Sequence, residues 1–272
     1  MPSWSVLTRK FRTFRRRVLR NVYQRLRPAA KTTPVFIVGS QRSGTSMTLR
    51  VFALSLDATT FNMQDDSVYT DGVLLAPEII HSLLDNSRGT VTVFKPMNEI
   101  QEIPQFLKEY PGVKIIWLVR NWADAVNSCI RQWPHFRTTL KAMAEDPENA
   151  GWHGAKLTER QRQALREHYH DDMSLESAYA LFWYVRNLFY FEFALDQESD
   201  VRLIRYESIV QQPKETFREI FEFVGCPFST ACTSEIFSSS IGKNAEPDVE
   251  PAIADLARGL HQQLIEQIES VG

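Results

Sequence analysis

One octapeptide carries the residue types and spacing for chemistry: Gly39-Ser40-Gln41-Arg42-Ser43-Gly44-Thr45-Ser46. Two glycines in a G-x4-G frame let a backbone curl until successive N–H groups converge on an anion. A helix opening at Thr45 would aim the positive end of its dipole at the same point. The hydroxyls of Thr45 and Ser46 add donors. Loops that hydrolyse ATP or GTP place a lysine after the second glycine, where it holds the β- and γ-phosphates. Here Thr45 has that place, and the positive charge sits at Arg42. No apolar run ends in an aspartate suited to magnesium; the run 113–119 ends in Arg120. The pattern suits a phosphorylated nucleotide handled by cationic side chains with no metal required.

Further residues extend this site. Arg120, at the carboxyl end of an apolar run, lies where open α/β sheets bind ligands, and its planar fork matches a second phosphate. Ser128 follows eight positions later and could add a hydroxyl. The plainer readings are a salt bridge from Arg120 to Asp124 and an ordinary small helix residue at Ser128. Lys95 ends the run Val91–Phe94 on the same sheet edge and is a second cation for charge that develops in a reaction. Tyr206 stands two positions after the run 201–204, where core packing is its plain role. Lys243 follows Gly242 in a polar stretch, where a solvated lysine is the plain reading.

Residues 39–46 resemble the 5′-phosphosulfate loop of the sulfotransferase family, close to [RK]-S-G-T-[TS]. The stretch 113–128 resembles the family's 3′-phosphate motif, a strand ending in Arg and a helix with Ser eight positions on. Arg120-Asn121-Trp122-Ala123-Asp124 departs from R-[DN]-P-x-D only at Trp122. Arg205-Tyr206-Glu207-Ser208 resembles R-Y-E-D, and Ile241-Gly242-Lys243-Asn244 stands where the family has a basic loop over the 3′-phosphate. The resemblance spans about residues 34–245 and implies 3′-phosphoadenosine-5′-phosphosulfate (PAPS) as sulfuryl donor. It implies roles for Arg42 and Lys95 in catalysis, for Gln41 to Ser46, Arg120, Ser128 and Lys243 around the phosphates, and for Tyr206 near the adenine. Phe94-Lys95-Pro96-Met97-Asn98-Glu99 resembles the K-x-P segment but lacks its histidine. Glu99 stands in for that base; Asp65 and Asp66 are its rivals, about twenty residues after the loop, where some relatives carry an acidic base. His153 and His170 are candidates for acceptor contact.

The elements that would position these residues follow from periodicity. Short runs rich in β-branched residues at 34–38, Val91–Phe94, 113–119 and 201–204 read as buried parallel strands. Helical patterns lie between them, at 45–56, 123–133, 175–195 and 213–224, and Pro251–Val271 reads as an amphipathic helix. The fold expected is α/β, a P-loop-type parallel sheet of about four to five strands flanked by helices. Residues 137–174 break the alternation and read as a largely helical insertion or lid, helical over 158–168. Residues 32–272 make one α/β domain, preceded by an arm over 1–31.

That arm holds ten of the 31 Lys and Arg residues and none of the 33 Asp and Glu, so the body is acidic. Leu7, Phe11, Phe14, Val18, Val22 and Leu26 recur at helical spacing until Pro28. A basic amphipathic helix over 1–27 suits an anionic membrane surface. The protein's own acidic body and a nucleic acid are the other candidate partners; regular aromatics favour an apolar partner, and no nucleic acid is expected. A mitochondrial transit peptide shares the composition. Three scattered cysteines fit a reducing compartment. With no transmembrane run, a cytoplasmic enzyme is expected, peripheral on the inner face of a membrane. The acceptor could be a lipid, glycolipid, glycan or small alcohol. The rival functions are a P-loop nucleotide kinase and a non-catalytic, membrane-attached nucleotide-binding protein.

Overall fold

The computed structural model describes residues 18–234, 236 and 245–271. Helix α1 covers 18–26 and leads to β1 (Thr33–Gly39), α2 (Thr45–Ala53) and the edge strand β2 (Ala58–Thr60). A small antiparallel hairpin follows, β3 (Tyr69–Thr70) and β4 (Val73–Leu74). Next come α3 (Pro77–Asn86), β5 (Val91–Phe94), α4 (Ile103–Glu109) and β6 (Lys114–Val119). Four helices precede the last strand: α5 (Trp122–Gln132), α6 (Arg137–Glu145), α7 (Glu159–His168) and α8 (Leu175–Glu192). After β7 (Val201–Arg205) lie α9 (Tyr206–Gln211), α10 (Pro213–Phe223) and α11 (Pro251–Val271).

The five longer-range strands pair in parallel in the order β2-β5-β1-β6-β7. Side chains alternate across a strand, so each run feeds two cores. Val35 and Ile37 of β1 join Val93, Ile116 and Leu118 under α2 and α10. Phe36 and Val38 point the other way, with Phe94, Ile115 and Trp117, toward α5, α8 and α11. Burial on both faces is why these strands read as unbroken apolar runs. Helix α8 lies deepest: residues 177–190 are all buried, which accounts for its aromatic richness.

The chain visits β2 and β5 on one side of β1 and then crosses to β6 and β7 on the other. The carboxyl ends of β1, β5 and β6 therefore frame the crevice where such sheets bind ligands. Gly39 closes β1, and Lys95, Arg120 and Tyr206 each follow directly on a strand. Gly39 has φ +140°, and a Cβ there would stand 2.2 Å from the Leu118 carbonyl oxygen on β6. Gly39→Ala is expected to cost about 2–4 kcal/mol of stability through strain and overpacking, read as a lowered Tm by calorimetry.

The stretch 137–174 holds α6, α7 and two 3-10 turns at Pro147–Asn149 and Gly151–His153. The start of α7 is fixed by a capping box: Gln161 N–H donates to Thr158 Oγ1 and Thr158 N–H to Gln161 Oε1. Helix α1 meets the body through a polar residue rather than its apolar stripe. Gln24 is buried and donates to the Leu56 carbonyl at 2.9 Å. Val18, Leu19, Val22 and Leu26 stay exposed, Leu26 by 78%. Leu7, Phe11 and Phe14 lie outside the described residues.

Candidate active site

The loop after β1 is held in an unusual shape by its neighbours. Arg42 has φ +68°, a left-handed conformation that costs a residue with a Cβ about 1–2 kcal/mol. Three contacts offset that cost. Arg42 Nε donates to Ser128 Oγ at 2.9 Å, Arg120 Nη1 donates to the Arg42 carbonyl at 3.2 Å, and Ser43 Oγ donates to the Ser40 carbonyl at 2.7 Å. The Ser43 hydroxyl is thus spent inside the loop, so Ser43, expected among the phosphate-binding residues, has its backbone to offer a ligand. Gly44 caps α2 with φ +98° and without a side-chain cap, leaving the helix's first N–H groups for an anion. The Tyr206 ring lies where a Gly44 Cβ would be, 2.5 Å from it, and Arg120 stacks over that ring at 4.6 Å. Tyr206 therefore supports both the loop and Arg120. Asn121 Oδ1 accepts from Asp124 N–H and starts α5, which sets Ser128 two turns on, facing Arg42.

Lys95 reaches the loop from the neighbouring strand. Its Nζ donates to Ser46 Oγ at 3.0 Å, and its backbone N–H donates to Tyr69 Oη at 2.8 Å. Burial lowers its pKa. Tyr69 comes from the hairpin β3–β4, which no apolar periodicity announced.

A cavity of about 630 Å³ opens beside this cluster. Gln41, Arg42, Thr45, Ser46 and Lys95 line it, and so do Trp133, Phe136, Trp152, Tyr179 and Phe182. One space therefore joins the cations to an aromatic wall. His135 and His153 also line it. The His153 ring packs against Trp152 at 3.5 Å, and burial, reinforced by the Arg186 charge, pulls its pKa down to about 4.

The carboxylates proposed from sequence lie elsewhere. Glu99 is buried, and its Oε2 accepts from Leu74 N–H at 2.8 Å, pinning the hairpin to the segment after β5. Burial raises its pKa to about 7 against the pull of that hydrogen bond. It does not line the cavity. Asp65 Oδ1 accepts from Ser67 N and Oγ in a local turn, and Asp66 is exposed; neither lines the cavity. His170 pairs with Glu250 away from it. Lys243 lies outside the described residues. Among the described residues, no group of three or more His, Cys, Asp or Glu side chains could hold a metal ion.

The family model described as "Sulfotransferase domain" matches residues 32–245. The chain belongs to the sulfotransferase family. A solved sulfotransferase shares its fold. This one, from Alicyclobacillus acidocaldarius, is 16% identical, covers 89% of this chain and 96% of its own, and gives a TM-score of 0.50. The sulfotransferase domain from the curacin biosynthetic pathway is 15% identical over 87% of this chain and 98% of its own, with a TM-score of 0.48. A mouse sulfotransferase complexed with PAP is 17% identical over 87% of this chain and 67% of its own, with a TM-score of 0.40. No curated protein sequence matches. Sulfuryl transfer is thus the chemistry of this enzyme. In this sulfotransferase the loop, Lys95, Arg120 and Tyr206 meet because each ends a strand of one parallel sheet. The aromatic wall was not legible as a unit, because its residues come from the turn after α5, the turn before α7, and α8.

Proposed function

We propose that this sulfotransferase takes the sulfuryl group of PAPS and passes it to a hydroxyl of an acceptor with an apolar body, a lipid or related alcohol rather than a polysaccharide. The observation that carries this reading is the single cavity joining Arg42, Ser46 and Lys95 to Trp133, Phe136, Trp152, Tyr179 and Phe182. A hydrated glycan would leave that wall unused; an alkyl or aromatic body would be drawn from water by it.

The donor set fits a nucleotide with two phosphate positions. The uncapped start of α2 with Arg42, Thr45 and Ser46 would hold the 5′-phosphosulfate, and Arg120 with Ser128 the 3′-phosphate. In the reaction the acceptor oxygen bonds to sulfur while the bond from sulfur to the bridging phosphate oxygen breaks, and the bisphosphate leaves. Lys95 and Arg42 stabilise the charge that grows on the leaving oxygen. The acceptor proton needs a base within hydrogen-bond reach. Among the described lining residues the imidazoles are His135 and His153, and His153, neutral and fixed by aromatic neighbours, is the one we assign.

The test is to incubate the enzyme with PAPS and a lipid extract and search by mass spectrometry for species heavier by one SO₃. Products confined to a polysaccharide fraction would overturn the apolar acceptor. Tight PAP binding with no product from any acceptor would favour the non-catalytic alternative. Arg120→Ala should weaken PAP binding about ten-fold or more by calorimetry, since a bidentate charged contact is worth about 1.5–3 kcal/mol. Unchanged affinity would remove Arg120 from the donor site.

The exposure of Val18, Leu19, Val22 and Leu26 beside Arg25 and Arg27 supports a second element of this reading: residues 1–27 seat the enzyme on an anionic membrane face. Full-length protein should sediment with phosphatidylserine vesicles and less with phosphatidylcholine vesicles, and deletion of 1–27 should abolish the difference. Equal partition of both forms would exclude the arm as an anchor.

A further inference from the structure

Arg186 lies in the middle of α8 with no solvent exposure. Its guanidinium has five N–H donors. Nη1 gives one hydrogen bond, to Gln101 Oε1 at 3.2 Å; Nε and Nη2 are buried and reach no hydrogen-bond partner among the described residues. Two rings stand where a counter-ion would be expected: Trp152 at 5.1 Å and Phe189 at 5.6 Å from the guanidinium carbon. Such stacking returns less than the burial of an ion without a counter-charge costs. Burial lowers its pKa to about 9, so the group remains a cation at neutral pH.

The position of this cation gives it a use. Phe182 precedes Arg186 by one helical turn, so the two side chains leave α8 on the same face. Phe182 lines the cavity and Arg186 does not, because Trp152, itself a lining residue, covers the guanidinium. Trp152 is only half-buried and sits in the 3-10 turn Gly151–His153. That turn begins at Gly151, at φ +59° in open space, and is braced at Gly154, where a Cβ would stand 2.2 Å from the Pro147 carbonyl oxygen. Nε and Nη2 share one edge of the guanidinium plane, the edge that takes both oxygens of a carboxylate.

We propose that Arg186 forms an anion subsite at the end of the acceptor cavity, and that the acceptor carries a carboxylate which displaces the Trp152 ring and bridges Nε and Nη2. The acceptor class is then a hydroxylated carboxylic acid with an apolar spacer. This inference rests on the reading of the cavity as the acceptor site, and the experiment separates the two.

The probes are ω-hydroxydodecanoate and dodecanol as acceptors, with dodecanoate as a ligand that cannot be sulfated. Wild-type enzyme loaded with PAP should bind dodecanoate about ten-fold or more tightly than dodecanol, and kcat/KM should favour the hydroxy acid to a similar degree. Arg186→Met should remove the preference in both measurements. Its volume suits the site, and exchanging a buried charge for an apolar side chain is often neutral or stabilising. Trp152→Ala, at a half-exposed position, uncovers the guanidinium and should tighten dodecanoate binding. Dodecanol turnover without preference for the acid, or a preference that survives Arg186→Met, overturns the subsite alone. Failure of the wild-type enzyme to bind or turn over any of the three probes overturns the apolar cavity reading and the subsite with it.

Discussion

Lys95→Met should lower kcat by about 10²–10³ while PAP affinity changes by no more than a few-fold. The expectation rests on where the ammonium is held and on what it lacks. Its nearest polar contact is the neutral Ser46 hydroxyl, and among the described residues it forms no ion pair with a carboxylate. Burial disfavours its charge, as the lowered pKa reflects. A desolvated cation not neutralised by the protein gains most when negative charge appears beside it, and that occurs as the bond to the bridging oxygen breaks. The loss should therefore fall on the chemical step, read in single-turnover kinetics, with PAP binding followed by calorimetry. An equal loss in both would make Lys95 a ground-state anchor. Tyr69→Phe supplies a finer check. It removes the acceptor of the Lys95 backbone N–H without touching the ammonium, and should lower kcat by about ten-fold, the worth of one lost positioning contact.

The strands that carry the site were readable because of where they lie. β1, β5 and β6 have neighbours on both edges and helices on both faces, so they appear as apolar runs, and the first polar residue after a run marks the sheet's ligand edge. That logic places Lys95 and Arg120; after the run 201–204 of the edge strand β7 it marks Arg205, one position before Tyr206. It fails for β2, an Ala-Thr-Thr edge with one neighbour, and for the hairpin holding Tyr69, which is too short for a period. Side-chain roles were readable only where the contact is local. Ser43 has the residue type of a ligand donor, and nothing in the sequence shows its hydroxyl turned back to Ser40. Glu99 stands in the register of a base, yet its carboxylate is committed to Leu74, twenty-five positions earlier in the chain. Arg186 is one cation in an aromatic run; only the packing of the turn at Gly151–His153 over α8 shows it to be buried against rings, with no carboxylate partner among the described residues.

The pH dependence of kcat/KM should decide which side chain takes the acceptor proton, because Glu99 and His153 are displaced in opposite directions. A base acts in its unprotonated form, so activity falls as pH drops through its pKa in the free enzyme. Glu99, raised to about 7 by burial, would give an acid limb near neutrality. His153, lowered to about 4 by burial and by Arg186, would keep kcat/KM level down to about pH 5. The expected profile is the second. His153→Ala should reduce kcat/KM by about 10²–10⁴, the usual worth of a positioned base. Glu99→Gln keeps an oxygen for the Leu74 N–H and should stay within a few-fold of wild type. A limb near pH 7 that disappears in Glu99→Gln would transfer the role to Glu99 and require the hairpin to open when substrate binds. Loss of activity in His135→Ala alone would transfer it to His135. The acceptor's own charge enters here as well. A carboxylate on Arg186 cancels part of the field that holds His153 down, so the acid limb of kcat should lie at higher pH for ω-hydroxydodecanoate than for dodecanol. The same anion that fixes the acceptor would thereby make His153 the stronger base.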